Sequence, residues 1–199
     1  IAWFDGRITG RDSHAGTTPM AMRHDAMAAL AEVTLAIEAI ASAATPAGVG
    51  TLGEADVRPG SRNTVPGAAV FRAEFRHPDG AALTAMQAAL SDRTHEIARR
   101  RGVEITIEPI WRKDPLTFAP EVVDAVEAAA AAGGFTHRRM VSGAGHDSFY
   151  VAATCPTGLI FVPCAGGLSH NEEESATEAD CAAGAQVLLD TVLRLDARV

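Results

Sequence analysis

Only three cysteines occur in the 199 residues, Cys155, Cys164 and Cys181. The number is odd and no two of them form a C-x-x-C pair, which excludes a disulfide framework and a cysteine zinc site. Buried, reduced thiols are the expectation. Positive charge is also scarce, with 17 Lys and Arg against 25 Asp and Glu and a formal net charge of −8. Binding a phosphate backbone needs clustered Lys and Arg to release counterions, so nucleic acid is excluded as the main partner. No uninterrupted apolar run approaches the roughly 20 residues needed to cross a bilayer, and no basic-then-apolar leader opens the chain. The expectation is a soluble, cytoplasmic protein with no membrane partner. Internal repeats and low-complexity linkers are likewise missing. Ile1-Ala2-Trp3-Phe4 already has strand character with no methionine before it, so a piece of a longer protein is expected.

What is present is ordinary globular material, 47% hydrophobic and 21% charged. The length suits one or two domains burying about 70% of the unfolded surface. Residues 1–11 hold aromatic and β-branched residues around Gly6, which predicts a strand with a bulge or bend there. A loop runs from Asp12 to Met20, and Thr18-Pro19 carries a helix-start signature. Met27, Leu30, Ala31, Thr34, Ile37 and Ala41 then recur at helical spacing, and the helix should end before Pro46. Val49–Val57 reads as a strand, Pro59–Gly67 as a turn, and Ala68–Arg76 as a second strand in which Phe71, Ala73 and Phe75 alternate with Arg72, Glu74 and Arg76. A helix with Leu83, Met86, Leu90, Thr94 and Ile97 on one stripe follows, then a strand carrying Val103, Ile105 and Ile107. Strand, helix, strand, strand, helix, strand is the order of ferredoxin-like domains.

After about residue 113 the pattern changes. Helices are expected at about Pro120–Ala132, His146–Ala153 and Glu178–Leu195, with a short strand near Arg139–Ser142 and an apolar strand at Thr157–Val162. Thr177-x-x-Asp180 forms a capping-box pattern, and Cys181, Leu188, Val192 and Leu195 make the stripe of the last helix. Alternating helix and apolar strand argues for an α/β layer. Two strands cannot make an independent sheet, so this stretch should need partner strands from elsewhere.

Three islands carry residues of chemical interest. They are Asp12-Ser-His14-Ala-Gly-Thr-Thr-Pro-Met20; Pro59-Gly-Ser-Arg-Asn63-Thr-Val-Pro-Gly67 with Arg76 thirteen residues on; and Ser142-Gly-Ala-Gly-His146-Asp147 with Gly167-Leu-Ser-His170-Asn-Glu-Glu-Glu174. Each alone has a plainer reading. His14 can be a solvated loop residue, Asn63 can serve a left-handed turn, Arg76 can be a surface charge, and His170 can belong to a solvated acidic loop. His170 also cannot build a metal site alone, since a catalytic zinc wants about three protein ligands. His24, His77, His95 and His137 show no metal-binding spacing.

Together and in this order, the islands resemble the hydantoinase/carbamoylase amidases of the M20 metallopeptidase superfamily, a group that includes N-carbamoyl-L-amino acid hydrolases, allantoate amidohydrolases and β-ureidopropionases. The resemblance covers the whole chain and is most specific over His14-Ala-Gly-Thr-Thr-Pro-Met-x-x-Arg23-x-Asp25. It implies a ferredoxin-like lid and dimerisation domain over residues 1–113, then part of an α/β metallopeptidase-like catalytic domain over 114–199 whose N-terminal portion is missing. By the same resemblance, His14 reaches a neighbouring subunit's active site and stabilises the oxyanion there, Asn63 and Arg76 bind the substrate carboxylate, and His170 is the last metal ligand. The turn before His146 lines the pocket, where free amides suit an anion; His146 contacts substrate, and Glu174 fixes the loop near His170. Two divalent metals, zinc, manganese or nickel, are implied, with the remaining ligands and the general-base glutamate outside this chain. The implied protein is a homodimeric hydrolase of C–N bonds in ureido or amide acids, inactive as these 199 residues alone. A non-catalytic dimerisation or small-acid-binding module is the competing expectation, because ferredoxin-like domains host many binding functions.

Overall fold

A computed structural model describes residues 1–197. The chain divides into two compact units, one spanning Ile1–Pro115 and one from Leu116 onward.

The first unit runs β1 (Ala2–Thr9), β2 (Ser13–His14), α1 (Ala26–Ala43), β3 (Val49–Arg58), β4 (Thr64–Val65), β5 (Ala68–Arg76), α2 (Gly80–Arg101) and β6 (Glu104–Arg112). The four long strands form an antiparallel sheet in the order β3-β5-β1-β6. The first and last of them are therefore neighbours, with β1 and β5 in the middle. Alternation decides which face is covered: Ala2, Phe4 and Ile8 of β1 and Ala69, Phe71, Ala73 and Phe75 of β5 are buried with the inner stripes of α1 and α2. Phe4 and Phe75 meet edge-on at 5.5 Å between ring centroids. The opposite face is polar, and there Arg72 bonds Glu54 at 2.7 Å.

Gly6 sits inside a regular stretch of β1 and is not a bend. A Cβ at this position would lie 2.0 Å from Cζ of Phe71, so glycine is there to let that ring cross the strand. The irregularities fall elsewhere, between Trp3 and Phe4 against β6 and between Leu52 and Glu54 against β5.

The inner stripe of α2 is Leu83, Met86, Leu90, Thr94 and Ile97, as the spacing predicts. Its N-terminus is capped by Asp79, which accepts from Ala81 N at 2.7 Å, and it ends on Gly102 in the left-handed region at φ 64°. In contrast, α1 does not begin at Thr18-Pro19. Arg23 draws this segment into a loop by donating to Thr18 O at 3.1 Å and Ala15 O at 2.6 Å, and the helix starts behind Asp25, which accepts from Ala28 N at 3.0 Å. Its buried face is Ala26, Ala29, Leu30, Val33, Ala36, Ile37 and Ala41, whereas Met27 and Ala31 are exposed. By length and a mean hydropathy of 1.6, α1 is apolar enough to cross a membrane. Its inner stripe instead joins the core against the sheet, and beside that stripe the partly exposed Glu32 pairs with Arg100 and Arg101 of α2.

The second unit holds α3 (Pro120–Ala132), α4 (Ser148–Val151) and α5 (Glu178–Asp196). Ala129 and Ala130 of α3 pack on Val187 of α5, with Phe135 and Ile160 alongside. Thr177 caps α5, accepting from Asp180 N at 3.1 Å. Neither predicted strand forms, because no ladder engages residues 139–142 or 157–162 among the described residues. An apolar segment becomes a strand only when a neighbour satisfies its backbone groups, and none does here. The predicted helix at 146–153 shrinks to the single turn of α4. The predicted stripe of α5 is not its buried face: Leu188 and Val192 are over half exposed, and Val187 and Thr191 are buried instead. Nor are the thiols buried, with Cys155 and Cys181 exposed and Cys164 partly so.

Candidate functional site

The first and second islands meet in the fold. Ser13 and His14 pair with Val65 and Thr64 across the short β2–β4 ladder, and Ala15 N donates to Asn63 O at 2.9 Å. Asp12 fastens the same junction by accepting from Gly67 N at 2.6 Å. The exposed His14 ring accepts through Nδ1 from the amides of Gly16, 3.0 Å away, and Thr17, 3.3 Å away. A nitrogen that accepts two amides carries no proton, so in the neutral ring the proton resides on Nε2, the donor a ligand would meet. Asn63, also exposed, accepts from Ser61 Oγ at 2.7 Å through Oδ1. Its backbone is not left-handed; Gly60, at φ 72°, makes that turn.

Arg76 is not brought to this junction. It closes β5, while Asn63 lies before the start of the same strand, and nine antiparallel residues span about 27 Å. Arg76 lies instead near Glu74 and Trp3. Its Nε donates to Glu74 Oε1 at 2.7 Å and its Nη2 to Oε2 at 2.8 Å, and Trp3 Nε1 donates to the same Oε2 at 2.8 Å. Trp3 in turn rests on Trp111, ring centroids 5.0 Å apart. Both members of the ion pair are about a quarter exposed, at 29% for Arg76 and 24% for Glu74. Burial works to raise the Glu74 pKa, but the hydrogen bond and charge of Arg76 and the Trp3 bond together hold the carboxyl below its ordinary value. Sequence reading missed Glu74 and Trp3. The signal was in the alternation, since residues 74 and 76 share a face of a strand.

In the second unit, His146 is half-buried, with Nε2 3.1 Å from Ser142 Oγ and its ring 5.6 Å from that of Phe161. In the glycine turn before it Ala144 N donates to Ser142 Oγ at 3.2 Å, and in the single helical turn that follows Phe149 N and Tyr150 N donate to the carbonyls of His146 and Asp147. His170 is exposed and adopts φ 56°, the one non-glycine residue described with positive φ. Glu174 holds this turn, its Oε2 accepting from His170 N at 3.2 Å, as expected of a loop-fixing carboxylate. Among the described residues no three His, Cys, Asp or Glu side chains converge on a point where a metal could sit. His170 therefore does not fit a metal centre unaided.

The matches to known proteins agree with one another. Residues 5–194 match the model of peptidase family M20/M25/M40. The N-carbamoyl-L-amino-acid amidohydrolase of Rhizobium meliloti is 42% identical over 191 residues, which is 96% of this chain and 46% of that protein. The allantoate amidohydrolase of Escherichia coli K12 is 32% identical over 182 residues, 91% of this chain and 44% of that one. Among solved structures, a hydantoinase/carbamoylase family amidase from Burkholderia multivorans superimposes with a TM-score of 0.91 at 44% identity, over 97% of this chain and 47% of that chain. The chain thus spans about half the length of the relatives it matches. With nearly all of its residues inside the family match, the chain belongs to the M20/M25/M40 peptidase family.

Proposed function

We propose that this chain supplies the substrate grip and the subunit bridge of an amidohydrolase that cleaves C–N bonds in N-carbamoyl amino acids or related ureido acids such as allantoate. The observation that carries the reading is the division of the candidate groups between the two ends of one sheet. His14 and Asn63 stand together at one end and Arg76 at the other. A small acid cannot span about 27 Å of strand, so a site that uses all three draws them from two copies of the chain. Arg76 then holds the substrate carboxylate of its own copy's site, since a guanidinium meets a carboxylate with parallel hydrogen bonds. His14 and Asn63 enter from the partner copy, His14 offering Nε2–H to the oxyanion that forms on the attacked carbon.

The first unit serves as a ferredoxin-like lid and dimerisation domain in this reading. Its α1 exposes Met27 and Leu35 beside the edge strand β3, where Val49 is also exposed. An open depression of about 600 Å³ lined by Leu35, Glu38, Ser42, Gly48 and Val49 lies along that edge. An unpaired strand edge beside an apolar helix stripe suits a second copy related by a two-fold axis. In the second unit His146 contacts substrate and His170 is one ligand of the divalent metals, zinc, manganese or nickel. The other ligands come from residues outside those described.

The test is to express the complete gene product containing these residues and assay ammonia release from N-carbamoyl-L-amino acids, allantoate, ureidoglycolate and β-ureidopropionate with each metal supplied. Hydrolysis of at least one is expected. Failure with every ureido and amide substrate overturns the reading, and binding without turnover favours the small-acid-binding module instead.

A further inference from the structure

Arg23 lies nine residues after His14 in the same stretch of sequence, and its half-buried guanidinium is spent on two carbonyls of the loop that carries His14. Nη2 donates to Ala15 O at 2.6 Å and Nε to Thr18 O at 3.1 Å. Between those carbonyls lie Gly16 and Thr17, whose amides donate to His14 Nδ1 at 3.0 and 3.3 Å. The Ala15 C=O and the Gly16 N–H are two ends of one trans peptide plane and point in opposite directions. Arg23 therefore grips one side of the plane whose other side holds the His14 ring. Thr18 N closes the turn on His14 O at 3.1 Å, and a Cβ at residue 16 would stand 3.3 Å from Cε1 of His14, so the ring rests on the loop that Arg23 ties.

We propose that Arg23 is a positioning residue that aims His14 Nε2–H at the oxyanion. The proposal rests on the reading of His14 as the oxyanion donor. A cation on the Ala15 carbonyl polarises that peptide and strengthens its N–H as a donor to Nδ1, which keeps the ring proton of neutral His14 on Nε2. By bridging Ala15 O and Thr18 O, the same guanidinium holds the Gly16 and Thr17 amides in the arrangement in which both reach the ring. Arg23 stands behind the peptide on the Nδ1 side, so it acts through His14 and not on the substrate.

The test measures kcat and KM for a ureido acid in the complete gene product carrying Arg23→Ala, Arg23→Lys, His14→Ala, or Arg23→Ala with His14→Ala. Thermal melts confirm folding of each variant. Arg23→Ala is expected to lower kcat roughly tenfold with KM within about twofold. Arg23→Lys, which keeps the charge and one donor group, should recover part of the loss. Added to His14→Ala, the Arg23→Ala change should cost nothing further, because it acts only through the ring. Should Arg23→Ala not fold, Arg23→Gln, which keeps most of the side-chain length and loses the charge, carries the same expectation. An unchanged kcat in the folded variants overturns the positioning role. So does an equal loss on the His14→Ala background, which would make Arg23 a general support of the fold. Should His14→Ala itself leave kcat unchanged, the oxyanion reading fails and the positioning role falls with it.

Discussion

Asn63 and Arg76 stand at opposite ends of the β5 tract, Asn63 five residues before its first residue and Arg76 its last. Read from sequence they are two parts of one carboxylate clamp. In the fold the nine residues of β5, about 27 Å of strand, lie between them, and Asn63 instead shares its place with His14.

Arg76→Lys keeps the charge of the receptor and removes its planar fork. KM for a ureido acid is expected to rise about tenfold with kcat within about twofold, measured by steady-state ammonia release. An unchanged KM would remove Arg76 from substrate binding.

Helix α1 tests where its own start lies. Asp25→Ala should cost about 1 kcal/mol in urea unfolding, because Ala28 N loses its acceptor. Thr18→Ala should cost only a few tenths, since the Thr18 side chain caps no helix. Equal losses would restore Thr18 as the cap.

Glu32 predicts an acid limb. The hydrogen bond from Arg100 is the main cause that lowers its carboxyl from 4.5 to about 2, with burial opposing and Arg101 adding to the fall. A carboxyl depressed in the folded state stabilises the fold above its ordinary value and loses that contribution as pH falls through the depressed one. The Tm advantage of wild type over Glu32→Gln should be full above pH 4.5 and vanish as pH falls toward 2. The effect is modest, on the order of 1 kcal/mol, because Arg100 is 53% exposed. An advantage that persists at pH 2 would mean that packing, and not the ion pairs, sets the difference.

The comparison of sequence with structure divides along a physical line. The stripe of α2 was legible because one face of a long amphipathic helix meets one sheet, so period alone identifies Leu83 through Ile97. The start of α1 was not, because the local signal at Thr18-Pro19 is overridden by Arg23, whose hydrogen bonds fold the segment back. Thr157–Val162 is apolar enough for a strand, yet strand formation is a property of the neighbours as much as of the segment. In the site, each island was visible as composition. That His14 and Asn63 are one feature was not, since the β2–β4 ladder joins residues some fifty positions apart. Glu74 was hidden in plain alternation, read as a polar face when it is the partner of Arg76.

The central claim is that Arg76 of one chain and His14 of another serve the same substrate, and mixed dimers test it most directly. His14→Ala and Arg76→Ala variants of the complete gene product are each expected to be nearly inactive. Mixed and reassembled in equal amounts, they should regain about a quarter of wild-type activity, because half the dimers are mixed and each mixed dimer owns one intact site. No recovery, with mixed dimers verified by differential tags, would place both residues in a site built by a single chain and contradict the account.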